Sequence, residues 1–213
     1  MANYPPKFKN KELKIMPNII ERTAGGTNVL TLETVNYDKR KLCIQDEITQ
    51  ATAFEFALAV EHLNKVSKSD PITVYINSPG GSIDAGLLMY DVIQTSPSPI
   101  RLVVLGVAYS MAAIIFASGQ SGRYILPNSK LMLHEPLLGY PIGGNTTSIK
   151  TISDDLLATR DKINRILAQH TGKTTKEIEE ATKQDHYFTA EEAVEFGLAD
   201  KIINFSELLK EKC

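Results

Sequence analysis

A serine hydroxyl becomes a nucleophile only when a neighbouring base takes its proton and a third group holds that base in place. Ser110 is the serine best placed for this, within the stretch from Ile100 to Gly119, IRLVVLGVAYSMAAIIFASG. Leu102 to Leu105 is short, apolar and β-branched, the composition of a buried strand, with Gly106 ending the run. Every residue from Met111 to Ala117 is apolar, which suits a helix buried nearly all round. Ser110 therefore falls at a strand-to-helix junction, where unpaired backbone N–H groups carry partial positive charge. Such donors stabilise the oxyanion that forms when a hydroxyl attacks a carbonyl. The plainer role for Ser110 is an N-cap, its hydroxyl satisfying one of those same N–H groups.

The base must come from four histidines. His62 sits beside Glu61 within an amphipathic helix, a surface position. His170 ends the longest helical pattern, where a cation complements the helix dipole. His134 ends a short strand just ahead of Glu135-Pro136, and His186 lies in the polar run Gln184-Asp185-His186-Tyr187 between two helices. His134 is the better base, because a strand end is more rigid than a loop. Asp185 can orient its ring, but Asp84, Asp91 and Glu135 are alternatives that periodicity leaves open. No His or Cys pair has metal-ligand spacing, so no metal is expected.

The elements that would position these groups alternate between strand and helix. Lys41 to Ile44 and Ile72 to Ile76 read as strands, and Thr49 to Val66 as an amphipathic helix. Asn77 to Ser82 is a glycine-bearing turn before a helix from Ile83 to Ile93. A phosphate loop is a weak reading there, since no Lys-Ser/Thr pair follows the glycines. Gly80-Gly81 suits close approach of a substrate backbone instead. Short strands follow at Tyr124 to Leu126 and Lys130 to Leu133, then an irregular stretch from Leu138 to Thr147. Ile149 to His170 is the longest helix. Thr175 to Thr182 is a short acidic one, and Thr189 to Phe196 opens on a capping box with Glu192 and stops at Gly197. A last strand lies near Ile202. This alternation predicts an α/β fold, with a head of about 27 to 134 and 183 to 205 and the long helix projecting from it. Residues 1–27 read as a flexible arm.

At 213 residues, with 43% apolar and 23% charged side chains and a formal net charge of −2, the chain has ordinary globular composition. That charge gives no footprint for nucleic acid or an anionic membrane. Cys43 and Cys213 form no disulfide framework, which points to a reducing compartment. With no signal-peptide pattern and no apolar run of transmembrane length, a soluble, cytoplasmic protein is expected.

Four runs, YINSPGGSIDAGLLMYDVIQ, GVAYSMAA, LPNSKLMLHEPLLG and DHYFTAEEAVEFGLADKI, resemble in order the motifs of ClpP, the proteolytic subunit of the Clp family of ATP-dependent serine proteases. The similarity covers roughly Lys41 to Ile203. It implies a ClpP/crotonase-like fold of repeated β-β-α units, with a projecting helix-plus-strand handle. It further implies Ser110 as nucleophile, His134 as general base, Asp185 as the orienting carboxylate, and the backbone N–H groups of Gly81 and Met111 as oxyanion hole. Substrate would lie as an added strand along Ile83, Leu137 and Gly139. The resemblance also implies a homo-oligomer of two stacked heptamers around a chamber, fed with unfolded proteins by a hexameric AAA+ unfoldase. That partner uses the ATP, and this chain needs no cofactor. Residues 1–27 would line the axial pore, 28–213 would be the peptidase domain, and 137–170 the handle between rings.

Three features depart from the family pattern. Tyr109 stands where a small residue usually precedes the serine, Glu135 replaces the common Gln after the histidine, and the region before Cys43 is less similar. A divergent paralogue, weakly active or inactive alone and working in a mixed ring with a paralogous subunit, is one alternative to a plain serine endopeptidase. A crotonase-type acyl-CoA enzyme is another, against which the set Ser110, His134 and Asp185 argues.

Overall fold

The structure, a computed structural model, describes residues 18–23, 25–139 and 141–208. In chain order the elements are β1 (Ile19–Thr23), β2 (Gly26–Leu30), α1 (Leu32–Asp38), β3 (Lys41–Ile48), α2 (Gln50–Val66), β4 (Ile72–Gly81) and α3 (Ile83–Thr95). They continue with β5 (Ile100–Tyr109), α4 (Met111–Ala117), β6 (Arg123–Ile125), β7 (Lys130–Leu133), α5 (Thr146–Thr171), α6 (Thr175–Thr182), β8 (His186–Phe188), α7 (Ala190–Phe196), β9 (Lys201–Ile202) and α8 (Phe205–Leu208). The fold is α/β, as the alternation predicts.

Described residues up to Lys39 belong to one compact unit and those from Arg40 onward to another. The expected flexible arm falls mostly outside the described residues. Where it reaches them it meets an antiparallel pair, β1 with β2, in register from Ile19↔Leu30 to Thr23↔Gly26. Short polar strands carry little periodic signal, so a pairing of this kind escapes a reading by pattern.

The second unit is built on a seven-stranded sheet in the order β3-β4-β5-β6-β9, with β7 and β8 branching from β5. All its pairs are parallel except β7 with β8. The branch has a simple cause. The first half of β5 pairs with β6 at Leu102 to Val104, and its second half pairs with β7 at Val107 to Tyr109. Two short strands thus share one long strand's edge end to end, and the sheet forks at the carboxyl end of β5.

β5 runs through Gly106 rather than ending there. A Cβ at residue 106 would sit 2.5 Å from the Asn77 side-chain oxygen, and that oxygen accepts the Val107 N–H at 3.2 Å. Asn77 substitutes for a ladder bond where the register between β4 and β5 shifts, so glycine marks an irregularity and not a stop. β4 likewise extends through Pro79-Gly80-Gly81, so the expected turn is the end of a strand. α4 is buried at all seven residues, as its composition requires. Residues 134–139 and 141–145 contain no helix or strand, and α5 begins at Thr146.

One partly buried cation ties the far end of the sheet to the helices. Arg123 donates to the carbonyls of Ala117, His170 and Gly197, and to the Asp200 carboxylate at 3.1 Å from Nε. Burial pushes the Asp200 carboxyl up, but the Arg123 hydrogen bonds and charge outweigh it and hold the pKa below the usual value. A depressed carboxylate pKa stabilises the fold above the unfolded value of about 3.9, and that stability is lost as pH falls through the lower folded value. Asp200→Asn is therefore expected to lower the urea midpoint at pH 7, with the gap to wild type closing below about pH 4. A gap that stays constant across that range would show that the pair contributes nothing through its charge.

Candidate active site

The carboxyl end of β5 turns into α4 within a single residue. Ser110 makes that turn with φ 53° and ψ −125°, a backbone conformation unfavourable for any side chain. Two contacts hold it. Its N–H donates to the Met132 carbonyl at 2.8 Å, and its own carbonyl accepts from Ala113 at 2.9 Å. Gly80, at φ +94°, lies so close behind that a Cβ would meet the Tyr109 carbonyl at 2.6 Å and the Ser110 Cβ at 2.9 Å. The serine is the N-cap residue of α4, yet its side chain caps nothing. Instead its Oγ lies 2.8 Å from Nε2 of His134. The plain capping role is excluded, and the hydroxyl is free for a base.

His134 follows directly on β7, whose carboxyl end lies beside that of β5. Its Nε2 engages Ser110, while its Nδ1 is buried with no hydrogen-bond partner among the described residues. Asp185 immediately precedes β8. The β7–β8 register runs Leu131↔Phe188, Met132↔Tyr187, Leu133↔His186, so one further step sets Asp185 opposite His134. Directly opposed residues share a face of the sheet. The Asp185 side chain is nonetheless exposed and does not bond to the histidine. The structure therefore brings Ser110 and His134 into contact, and brings Asp185 alongside without closing the bond.

A cavity of about 250 Å³ opens beside the pair, lined by Gly81, Ile83, Ser110, Met111, His134 and Leu137 among others. Six of the eight residues expected in the site are thus gathered around one space. Gly139 is exposed and outside this lining, as is Asp185. Met111 is the first residue of α4, where a helix leaves its N–H without an intrahelical partner. Ser82 N–H takes the Ile48 carbonyl at 2.9 Å, so the alternate position, Gly81, turns its N–H away from β3. The periodic reading missed Ile114, Met132 and Ile163, which supply the apolar wall, and Ile163 comes from the long helix α5. Its signal was present in the helical spacing of Ile163, Ile166 and Leu167, all buried. A larger groove of about 290 Å³ lies along β3 and α2, with Cys43, Glu47 and Glu55 among its lining residues and no histidine.

The remaining histidines are elsewhere. His62 is exposed on α2. His186 stacks on Phe188 with ring centroids 4.2 Å apart, on the opposite face of β8 from Asp185. His170 bonds the Tyr90 hydroxyl at 3.2 Å, and burial and the Arg123 charge push its pKa down. Its ring favours the neutral form, so its expected part as a cation at the helix end is corrected. Among the described residues no group of three His, Cys, Asp or Glu side chains could hold a metal ion. No helix among them is long and apolar enough to cross a membrane.

A serine hydrogen-bonded to a histidine at the carboxyl end of a mostly parallel sheet, beside a small cavity, is an arrangement that can activate a hydroxyl for attack. The family model for Clp protease matches residues 25–206, and the chain belongs to that family.

The strain at Ser110 has a measurable consequence. Glycine accepts a positive φ without a Cβ penalty, whereas alanine keeps the strain and loses only the hydroxyl. Ser110→Gly is expected to be more stable than Ser110→Ala by about 1 kcal/mol in chemical denaturation. Equal stability of the two variants would show that the backbone at residue 110 is relaxed.

Proposed function

We propose that this chain is the proteolytic subunit of an ATP-dependent Clp protease, a serine endopeptidase that hydrolyses peptide bonds of unfolded proteins. The observation that carries the reading is the 2.8 Å contact between Ser110 Oγ and His134 Nε2 at the mouth of the cavity. In this mechanism His134 Nε2 takes the hydroxyl proton as Oγ attacks the scissile carbonyl. The oxyanion is stabilised by the N–H groups of Gly81 and Met111. His134 returns the proton to the leaving amine, which leaves an acyl-enzyme on Ser110. Water, deprotonated by the same ring, then releases the second product. Asp185, once its side chain reaches Nδ1–H, would fix the tautomer and stabilise the imidazolium. An extended substrate would lie between Ile83 and the chain after His134, with Leu137 offering an exposed apolar contact.

Family membership also supports an oligomeric assembly working with an ATPase. We assign residues 137–170 as the element joining two heptameric rings and an AAA+ hexamer as the source of unfolded chains. Sequestration inside the barrel would then select substrates by access. No cofactor is required by the chemistry of this chain. A second reading is favoured by one observation, the exposed Asp185 facing an unpartnered Nδ1. In that reading the triad closes only on assembly, either with copies of this chain or with a paralogous subunit.

Hydrolysis of a fluorogenic peptide, followed across size-fractionated protein, tests both. Activity is expected in the assembled fraction, with Ser110→Ala and His134→Ala each lowering kcat by about 10⁴-fold or more. Activity that appears only after a paralogous subunit is added would favour the mixed ring. Full activity in Ser110→Ala would overturn the assignment.

A further inference from the structure

Tyr109 occupies the position before the nucleophile, and its ring meets Tyr187 edge-on, with centroids 5.7 Å apart and planes at 89°. The two belong to strands that do not pair directly. β7 lies between them, with Tyr109↔Met132 on one side and Met132↔Tyr187 on the other. All three therefore lie in one lateral row and on one face of the sheet. That face is not the core face, since Ala108, Leu131, Leu133 and Phe188 alternate with them and are buried. The next row toward the carboxyl end of β7 contains His134, with Asp185 opposite by the same register. Tyr109 is bonded through the chain to Ser110, and Tyr187 lies two residues from Asp185 on the same face.

We propose that Tyr109 and Tyr187 are positioning residues, an aromatic tie across Met132 that holds Asp185 of the short strand β8 in register with Ser110 and His134. β8 has only three residues and pairs with β7 alone. Its ladder is too short to fix register by itself, and an edge-on aromatic contact between flanking strands adds to it. The exposed Asp185 then needs only a side-chain rotation to reach the unpartnered Nδ1, because its backbone is already in place. A small residue at 109 would leave β8 without this tie. The inference rests on the assignment of Ser110, His134 and Asp185 made above.

The test compares Tyr109→Phe, Tyr109→Ala and Tyr187→Ala with wild type in the assembled protein, reading kcat and KM separately. Other ionisable groups around His134 are unchanged in these variants. Glu135 lines the cavity, His186 lies on the far face of β8, and α4 carries no ionisable side chain. α7, packed on β7, brings Glu191, Glu192 and Glu195, of which Glu192 accepts the Thr189 N–H. Tyr109→Phe keeps the ring and should stay within about twofold of wild type. Both alanine variants should lose about 10- to 100-fold in kcat with little change in KM. Tyr187 is largely exposed, so its alanine variant keeps the test open if Tyr109→Ala fails to fold. Wild-type kcat in Tyr187→Ala, or a loss confined to KM, would overturn the tie while leaving the active-site assignment intact. Wild-type protein whose hydrolysis does not depend on Ser110 would overturn both.

Discussion

The proposed active site depends on one backbone conformation, the positive φ of Ser110 where β5 passes into α4. A serine that entered the helix in the ordinary way would point its hydroxyl at the helix N–H groups and act as a cap. The tight turn instead swings Oγ toward the neighbouring strand, to His134, and sets Met111, the first residue of α4, beside the cavity. Such a conformation costs on the order of 1–3 kcal/mol and persists only where its surroundings over-determine it. Here they do so from three sides. Met132 accepts the serine N–H, Gly80 leaves no space behind it, and α4 is buried along its whole length.

The second constraint is lateral register. β5 carries the serine, β7 carries the histidine and β8 follows the aspartate, and the three strands are neighbours because the sheet forks beside the second half of β5. Period-two alternation then sorts the residues. One face takes Ala108, Leu131, Leu133 and Phe188 into the core, and the other presents Tyr109, Met132, His134, Tyr187 and Asp185. Chemistry and packing are thus written into the same short strands on alternate positions. A slip of one residue in β8 would send Asp185 inward and Phe188 outward.

Much of this was legible in the sequence. The strand-to-helix junction at Ser110 follows from a β-branched run meeting an all-apolar one, and His134 follows from its place at a strand end. Four ordered motifs identified the family that the family comparison shows. What pattern could not give was local geometry. Gly106 reads as a stop because glycine usually is one, and only the Asn77 side chain reveals it as an irregularity within a continuing strand. β8 reads as a polar connection because three residues, exposed at His186 and Tyr187 and buried at Phe188, are too few to show a period. Choosing Asp185 among several carboxylates needed either the resemblance or the β7–β8 register, since no local pattern distinguishes it.

The central claim is that Ser110, activated by His134, is the atom that bonds to substrate. The most direct measurement is the mass and position of the adduct left by a fluorophosphonate probe on the assembled protein, located by peptide mapping. The account predicts a single phosphonylated site at Ser110, absent in His134→Ala. A modified residue elsewhere, or undiminished labelling of Ser110 without His134, would contradict it.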